Sequence, residues 1–125
     1  MNGDWQRFAF KYGAFRRLLE VMALGPRFSH VDVGASDVKV AMGWGFRAKL
    51  PRTSITQAAE SKAMGLGIGV HGFNGRWLVN GSMSGIVSID IEPRARGFVM
   101  GIPVKLRQLH VSVEDPAGLI VALRR

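Results

Sequence analysis

With 125 residues, 47% of them hydrophobic and 21% charged, the chain has the length of one globular domain and can bury a core without staples. It contains no cysteine, which excludes disulfides, thiolate metal sites and cysteine nucleophiles. Seventeen Lys and Arg against nine Asp and Glu leave a net charge of +8, an excess that attracts anions or simply aids solubility.

The first residues carry Asp4, Arg7, Lys11, Arg16 and Arg17, too many charges for the apolar region of a signal peptide. No stretch approaches the roughly 18 apolar residues of a membrane-spanning helix. The expected location is therefore cytoplasmic, with peripheral attachment at the inner membrane face as a variant. Asn80-Gly81-Ser82 matches a glycosylation acceptor, which without a secretion signal is incidental.

In chain order, "DWQRFAFKYGAFRRLLEVMALGP" has two periods. Phe8, Phe10 and Tyr12 alternate, which suits a short extended piece. Tyr12, Phe15, Leu19 and Met22 recur every three or four residues, the stripe of an amphipathic helix, and Gly25-Pro26 stops it. The expectation is a helix over 13–24 inside an N-terminal segment, 1–25. Its apolar stripe would pack over a barrel mouth, form a homodimer interface or lie on a membrane.

From 26 to 113 the period is two. "SHVDV", "DVKVAM" and "GFRAKL" each alternate apolar and polar residues, as half-buried strands do. Pro51 weakens pairing, and "TSIT" continues as an edge. "LGIGV", "RWLVNG", "IVSIDI" and "LRQLHVSV" follow, separated by turn residues that include "EPRARG". About seven short strands predict a mainly β, antiparallel barrel or sandwich. In "SVEDPAGLIVALRR", Glu114 or Asp115 caps and Pro116 opens a closing helix over 114–125.

Residues 67–72, Gly67-Ile68-Gly69-Val70-His71-Gly72, spell a G-x-G-x-x-G. A dinucleotide loop needs a helix to start within the glycines, because the helix N-terminus holds the pyrophosphate. Here Asn74-Gly75 and β-prone Trp77-Leu78-Val79 follow. Asn-Gly is the favoured pair of a two-residue hairpin turn. The reading is a hairpin, with no cofactor.

His30, His71 and His110 lack partners at metal-ligand spacing and read as surface histidines. Ser82, Ser84 and Ser88 lack a nucleophile-elbow context. Asp90 and Glu92 share a strand face and read as solvent-facing acids. No catalytic or metal residue is assigned.

The layout resembles the pleckstrin-homology-like barrel, including its bacterial and GRAM-type relatives. The residues that carry this are "DVKVAMGWGFRAKLPRTSITQA" and "LHVSVEDPAGLIVAL", a last strand running into a capped helix. The layout is also similar to a group of actinobacterial proteins. The matching signals are Phe8-Ala9-Phe10-Lys11-Tyr12, Arg16-Arg17-Leu18-Leu19 and Val113-Glu114-Asp115-Pro116-Ala117-Gly118-Leu119. That likeness covers both ends of the chain, implies a bacterial setting and implies no activity.

Lys39, Arg47, Lys49 and Arg52 have outward phase on consecutive strands and are the expected anion-binding residues. The spacing of Lys39 and Arg47-Ala48-Lys49 is similar to the arrangement with which some pleckstrin-homology domains hold inositol phosphates, with Lys49 where arginine is usual. The alternative is a solvated face that deters edge pairing. A second basic group is Arg94, Arg96, Lys105 and Arg107. Trp44 would serve base stacking, while the phases of Phe46 and Trp77 point to the core. The expectation is a non-enzymatic binding module for an anionic ligand, a lipid headgroup or a protein partner. A nucleic-acid-binding β-barrel is the alternative.

Overall fold

The computed structural model describes residues 5–12, 17, 29–61, 69–73, 75–80 and 84–124. The expected helix over 13–24 therefore lies outside the described residues, apart from Arg17.

Strands β1 (Gln6–Ala9), β2 (Ser29–Val33), β3 (Asp37–Met42) and β4 (Phe46–Pro51) form an antiparallel meander. Alternation dictates it. In β3 and β4 every second residue is buried, Val38, Val40 and Met42 on one strand and Phe46, Ala48 and Leu50 on the other. Gly43 makes the connecting turn possible, because its φ of 53° lies where a side chain is strained. Strand β1, with the bridge at Phe10, is the short extended piece that the alternation suggested, and Phe8 and Phe10 are both buried.

After a 3-10 turn at Arg52–Ser54 come β5 (Ile55–Ser61), β6 (Gly69–Phe73), β7 (Arg76–Asn80), β8 (Ile86–Val99) and β9 (Ile102–Ser112). The sheet order is β1-β2-β3-β4-β8-β9-β7-β6, and β5 also pairs with β8. Long β8 thus holds β5 along its first half and β4 near its end, while β9 runs along its other side.

Three sequence expectations are corrected here. The described residues contain nine strands, not about seven. The sheet is mixed and curls into a half-barrel, not an antiparallel barrel, because β7 pairs with β9 in parallel. Alternation has the same period in both kinds of ladder, so the sequence gives no sign of the difference. Third, "EPRARG" is not a turn. Glu92–Gly97 lies inside β8, whose register against β9 shifts between Asp90 and Ala95. Pro93 has no N–H to give the ladder, and a local irregularity lets a strand bend and continue. The reversal comes at Met100 and Gly101, whose φ values are 49° and 81°.

The β6–β7 hairpin is present as expected. Phe73 pairs with Arg76, and Gly75 has a φ of 82°. Residues 69–73 are strand, so no helix starts at Gly69 or Gly72.

One core fills the inside of the curl, with Phe10, Met42, Phe46, Leu50, Ile89, Leu106, Leu109 and Leu119 among its buried members. The C-terminal helix (Pro116–Arg124) contributes Leu119, Ala122 and Leu123. The Asp115 carboxylate accepts the Gly118 N–H at 3.0 Å, which satisfies an otherwise orphan donor of the first turn. Phe10 bridges to Val113, and Lys11 N donates to Ser112 O at 2.9 Å. The residues after β1 are thereby tied to the end of β9.

Candidate anion-binding face

The meander turns its second phase outward. Cross-strand register gives a row of Arg7, Asp32, Lys39 and Lys49 over β1 to β4. A neighbouring row runs Ala9, His30, Ala41, Arg47 and, on β8, Phe98. Three of the four expected residues, Lys39, Arg47 and Lys49, thus share one face. On β8 and β9 the pair Arg96 and Lys105 stand opposite each other, so the second basic group extends it.

Each cation has its own surroundings. Lys39 Nζ lies 4.8 Å from the centre of the Trp5 ring, a cation–π contact. Lys49 Nζ lies 3.7 Å from Asp37 Oδ2. Asp32 is spoken for: Arg7 Nε and Nη2 donate to its two oxygens at 2.8 and 3.0 Å. Arg47, Arg96 and Lys105 have no ion-pair partner among the described residues. His30 sits 3.6 Å from Asp32. Burial lowers its pKa from the usual value, Asp32 opposes this, and Arg7 and Arg47 add to the lowering.

Arg52 departs from the expectation. Its guanidinium does not join this face but donates to Gly34 O at 2.9 Å and to Ala122 O at 2.8 Å. It fastens the β2–β3 turn to the end of the C-terminal helix, where a cation also meets the negative end of the helix dipole. Phase alone suggested an exposed strand residue, but the 3-10 turn after Pro51 rotates it away. Arg124 does similar work by donating to Ala58 O at 3.0 Å. Both arginines line a cleft of about 490 Å³ beside β5.

A second cleft, of about 450 Å³, lies over the bend in β8. Arg76, Arg94 and Arg107 line it together with Asp90, Glu92 and Gln108. Asp90 accepts from Gln108 Nε2 at 2.9 Å, and Gln108 Oε1 lies 3.1 Å from His110 Nε2. The Gln108 amide spends its N–H on Asp90, so its oxygen accepts from the imidazole, and His110 Nδ1 is left as a bare acceptor. Nδ1 has no hydrogen-bond partner. Burial lowers the His110 pKa, with Asp90 opposing and Arg76 assisting.

His110 was expected at the surface, yet it is only 5% exposed. Phase places His110 opposite inward Leu109 and Val111, but residues 109–112 are all buried, so both faces are covered here and phase does not report exposure. Among the described residues no hydroxyl lies within hydrogen-bond distance of Nδ1. Among the described residues no three His, Asp or Glu converge as a metal site, and no helix is long and apolar enough to cross a membrane.

Comparison with family models, with curated proteins and with solved structures finds no match, so the geometry carries the functional reading alone.

Proposed function

We propose that this chain is a non-enzymatic binding module that holds an anionic partner on the outer face of β3, β4, β8 and β9. The observation that carries this reading is the pairing of like charges. Lys39 stands opposite Lys49, and Arg96 opposite Lys105. Directly opposed like charges destabilise a sheet by a fraction of a kcal/mol each. Trp5 and Asp37 offset part of the repulsion at Lys39 and Lys49, while Arg96 and Lys105 have no ion-pair partner among the described residues. An anion bridging the pairs recovers the repulsion and adds charge-assisted hydrogen bonds.

Edge protection does not account for all of them. Lysine deters aggregation on edge strands, but Lys39 is paired on both sides, with Asp32 and with Lys49. Of the lysines, only Lys49 and Lys105 lie where a neighbouring ladder has stopped, since β4 meets β8 at Phe46–Ala48 and β7 meets β9 at Gln108–Val111. A pleckstrin-homology-like relationship belongs to the same proposal. The curled sheet with a helix packed at its C-terminal end supports it, and the parallel β7–β9 pairing departs from the antiparallel pattern the resemblance implied.

A second reading, single-stranded nucleic acid, is favoured by one feature. Trp44 and Phe98 are 52% and 40% exposed, and Phe98 is paired with Arg47, so aromatic faces for base stacking adjoin cations. Core aromatics do not supply these faces: Phe46 is fully buried and Trp77 packs against the core.

The test is a titration of ¹⁵N-labelled protein with inorganic tripolyphosphate, repeated with a short single-stranded oligonucleotide. The proposal expects tripolyphosphate to shift the amides of Lys39, Arg47, Lys49, Arg96 and Lys105. Shifts confined to the Arg76–Arg94–Arg107 cleft, or none at all, would overturn it. Oligonucleotide shifts centred on Trp44 and Phe98, with no response to tripolyphosphate, would favour the second reading.

A further inference from the structure

One end of the half-barrel carries large apolar side chains that stand substantially exposed. Trp44, in the β3–β4 turn, is 52% exposed. At the β8–β9 reversal Phe98 is 40%, Met100 60% and Ile102 66% exposed. The two turns are joined, because Met100 N donates to Gly45 O at 3.0 Å. These residues therefore form one apolar tip.

Two features of the tip are hard to explain by folding. Met100 has a φ of 49°, in the left-handed region where Gly or Asn is the inexpensive choice. Its side chain gains little burial in return. A reversal built for the fold alone would carry a polar residue there. Second, Ile102 projects a β-branched apolar side chain into water from the first residue of β9.

Cations stand behind the tip in a graded way. Arg47 faces Phe98, two residues back from Met100, and the Arg96–Lys105 pair lies further along the same hairpin. At about 3.3 Å of rise per residue these charges sit roughly 7 and 13 Å behind the tip. An interfacial element buries its apolar part about 5–10 Å into the headgroup–acyl boundary. Cations at those heights fall among lipid phosphates. Trp is suited to that boundary, with its amphipathic ring at headgroup level. A nucleic acid would use Trp44 and Phe98 but has no use for Met100 and Ile102, whose side chains offer no stacking face.

We infer that the joined β3–β4 and β8–β9 turns insert into the surface of an anionic lipid bilayer, with Arg47, Arg96 and Lys105 on the headgroup phosphates. This rests on the anion-binding reading above and names its partner. The insertion is shallow and peripheral, and the basic face supplies the preference for acidic lipid.

The test is co-sedimentation with phosphatidylserine–phosphatidylcholine vesicles and with phosphatidylcholine vesicles alone. It uses wild type and the double variant Met100→Asp/Ile102→Asp. Both positions are exposed and Asp tolerates positive φ, so the variant should fold, which its thermal melt verifies. Wild type is expected to pellet with the acidic vesicles alone. The double variant should lose about tenfold or more in partitioning while keeping its tripolyphosphate-induced amide shifts. That retention separates failure of insertion from failure of anion binding. Equal pelleting of variant and wild type would overturn the inference. So would wild type that shows the tripolyphosphate shifts yet pellets with neither vesicle, or that binds oligonucleotide through Trp44 and ignores acidic vesicles.

Discussion

The two halves of the sheet use their outer faces differently. Over β2 to β4 the outer face is mostly wet and charged, with Lys39, Arg47 and Lys49 exposed above a buried inner phase. Where β7, the first part of β8 and the last part of β9 pair, over 76–80, 86–90 and 108–112, both faces are largely dry: Leu78, Asn80, Ile86, His110 and Ser112 are buried on the face opposite Val79, Val87, Leu109 and Val111. A wet face leaves charges available to an outside partner. A dry face makes its polar groups serve one another, as the chain from Asp90 through Gln108 to His110 shows. The binding surface is thus expected where the sheet is buried on one side only.

The largest effect that sharpens this contrast is at Ile86, fully buried yet outside the main core. Ile86→Ala should cost about 2–5 kcal/mol in urea unfolding, whereas Arg47→Ala on the wet face should stay within about 0.5 kcal/mol. Equal costs would erase the distinction. Next comes Arg52, which fastens two backbone carbonyls instead of waiting for a ligand. Arg52→Met should lose about 1.5–3 kcal/mol and leave the affinity for tripolyphosphate unchanged. A loss of affinity with full stability would return Arg52 to the anion-binding set.

The dry face should also show in pH dependence. His110 has its pKa lowered below 6.5 in the folded state, chiefly by burial. Below that value the unfolded chain takes up the proton first, so stability is lost as pH falls from about 6.5 toward the folded pKa. His30, lowered for the same reason, adds a smaller share from the other half. His110→Gln should flatten most of this slope in denaturant midpoints measured between pH 7.5 and 5. An unchanged slope would mean that the imidazole is not kept neutral by its surroundings. A smaller effect belongs to Asp32→Asn. The Arg7 side chain is 65% exposed, so solvent screening holds the loss under about 1 kcal/mol, again by urea unfolding.

Sequence was most readable where one face is wet. In β3 and β4 the alternation of Val38, Val40, Met42, Phe46, Ala48 and Leu50 against charged neighbours fixes which residues face the core. Three of the four proposed ligand residues fall on one face for that reason. The capped C-terminal helix and the Asn74-Gly75 hairpin were readable because Pro116, Asp115 and Gly75 are tied to specific backbone angles or donors. Where both faces are dry, alternation of hydrophobicity fades. "LHVS" is buried at all four positions, 109–112, so His110 looked exposed by phase alone. The place of β7 beyond β9 depends on contacts between distant parts of the chain and leaves no trace in local spacing. "EPRARG" has the composition of a turn, yet β9 resumes pairing with it at Ala95 and β4 joins at Gly97, so the chain runs on as strand. The apolar tip escaped notice because Phe98, Met100 and Ile102 belong to no amphipathic period, and their exposure appears only once the reversal is located.

The central claim is that the opposed cations of the wet face bind an anion. Isothermal titration with tripolyphosphate at low and moderate salt tests it most directly, comparing wild type with Lys39→Gln/Lys49→Gln/Arg96→Gln/Lys105→Gln and with Arg76→Gln/Arg94→Gln. The account predicts that the fourfold variant binds at least about tenfold more weakly and loses most of its salt dependence, while the cleft variant behaves as wild type. Wild-type affinity in the fourfold variant, or a loss confined to the cleft variant, would contradict it.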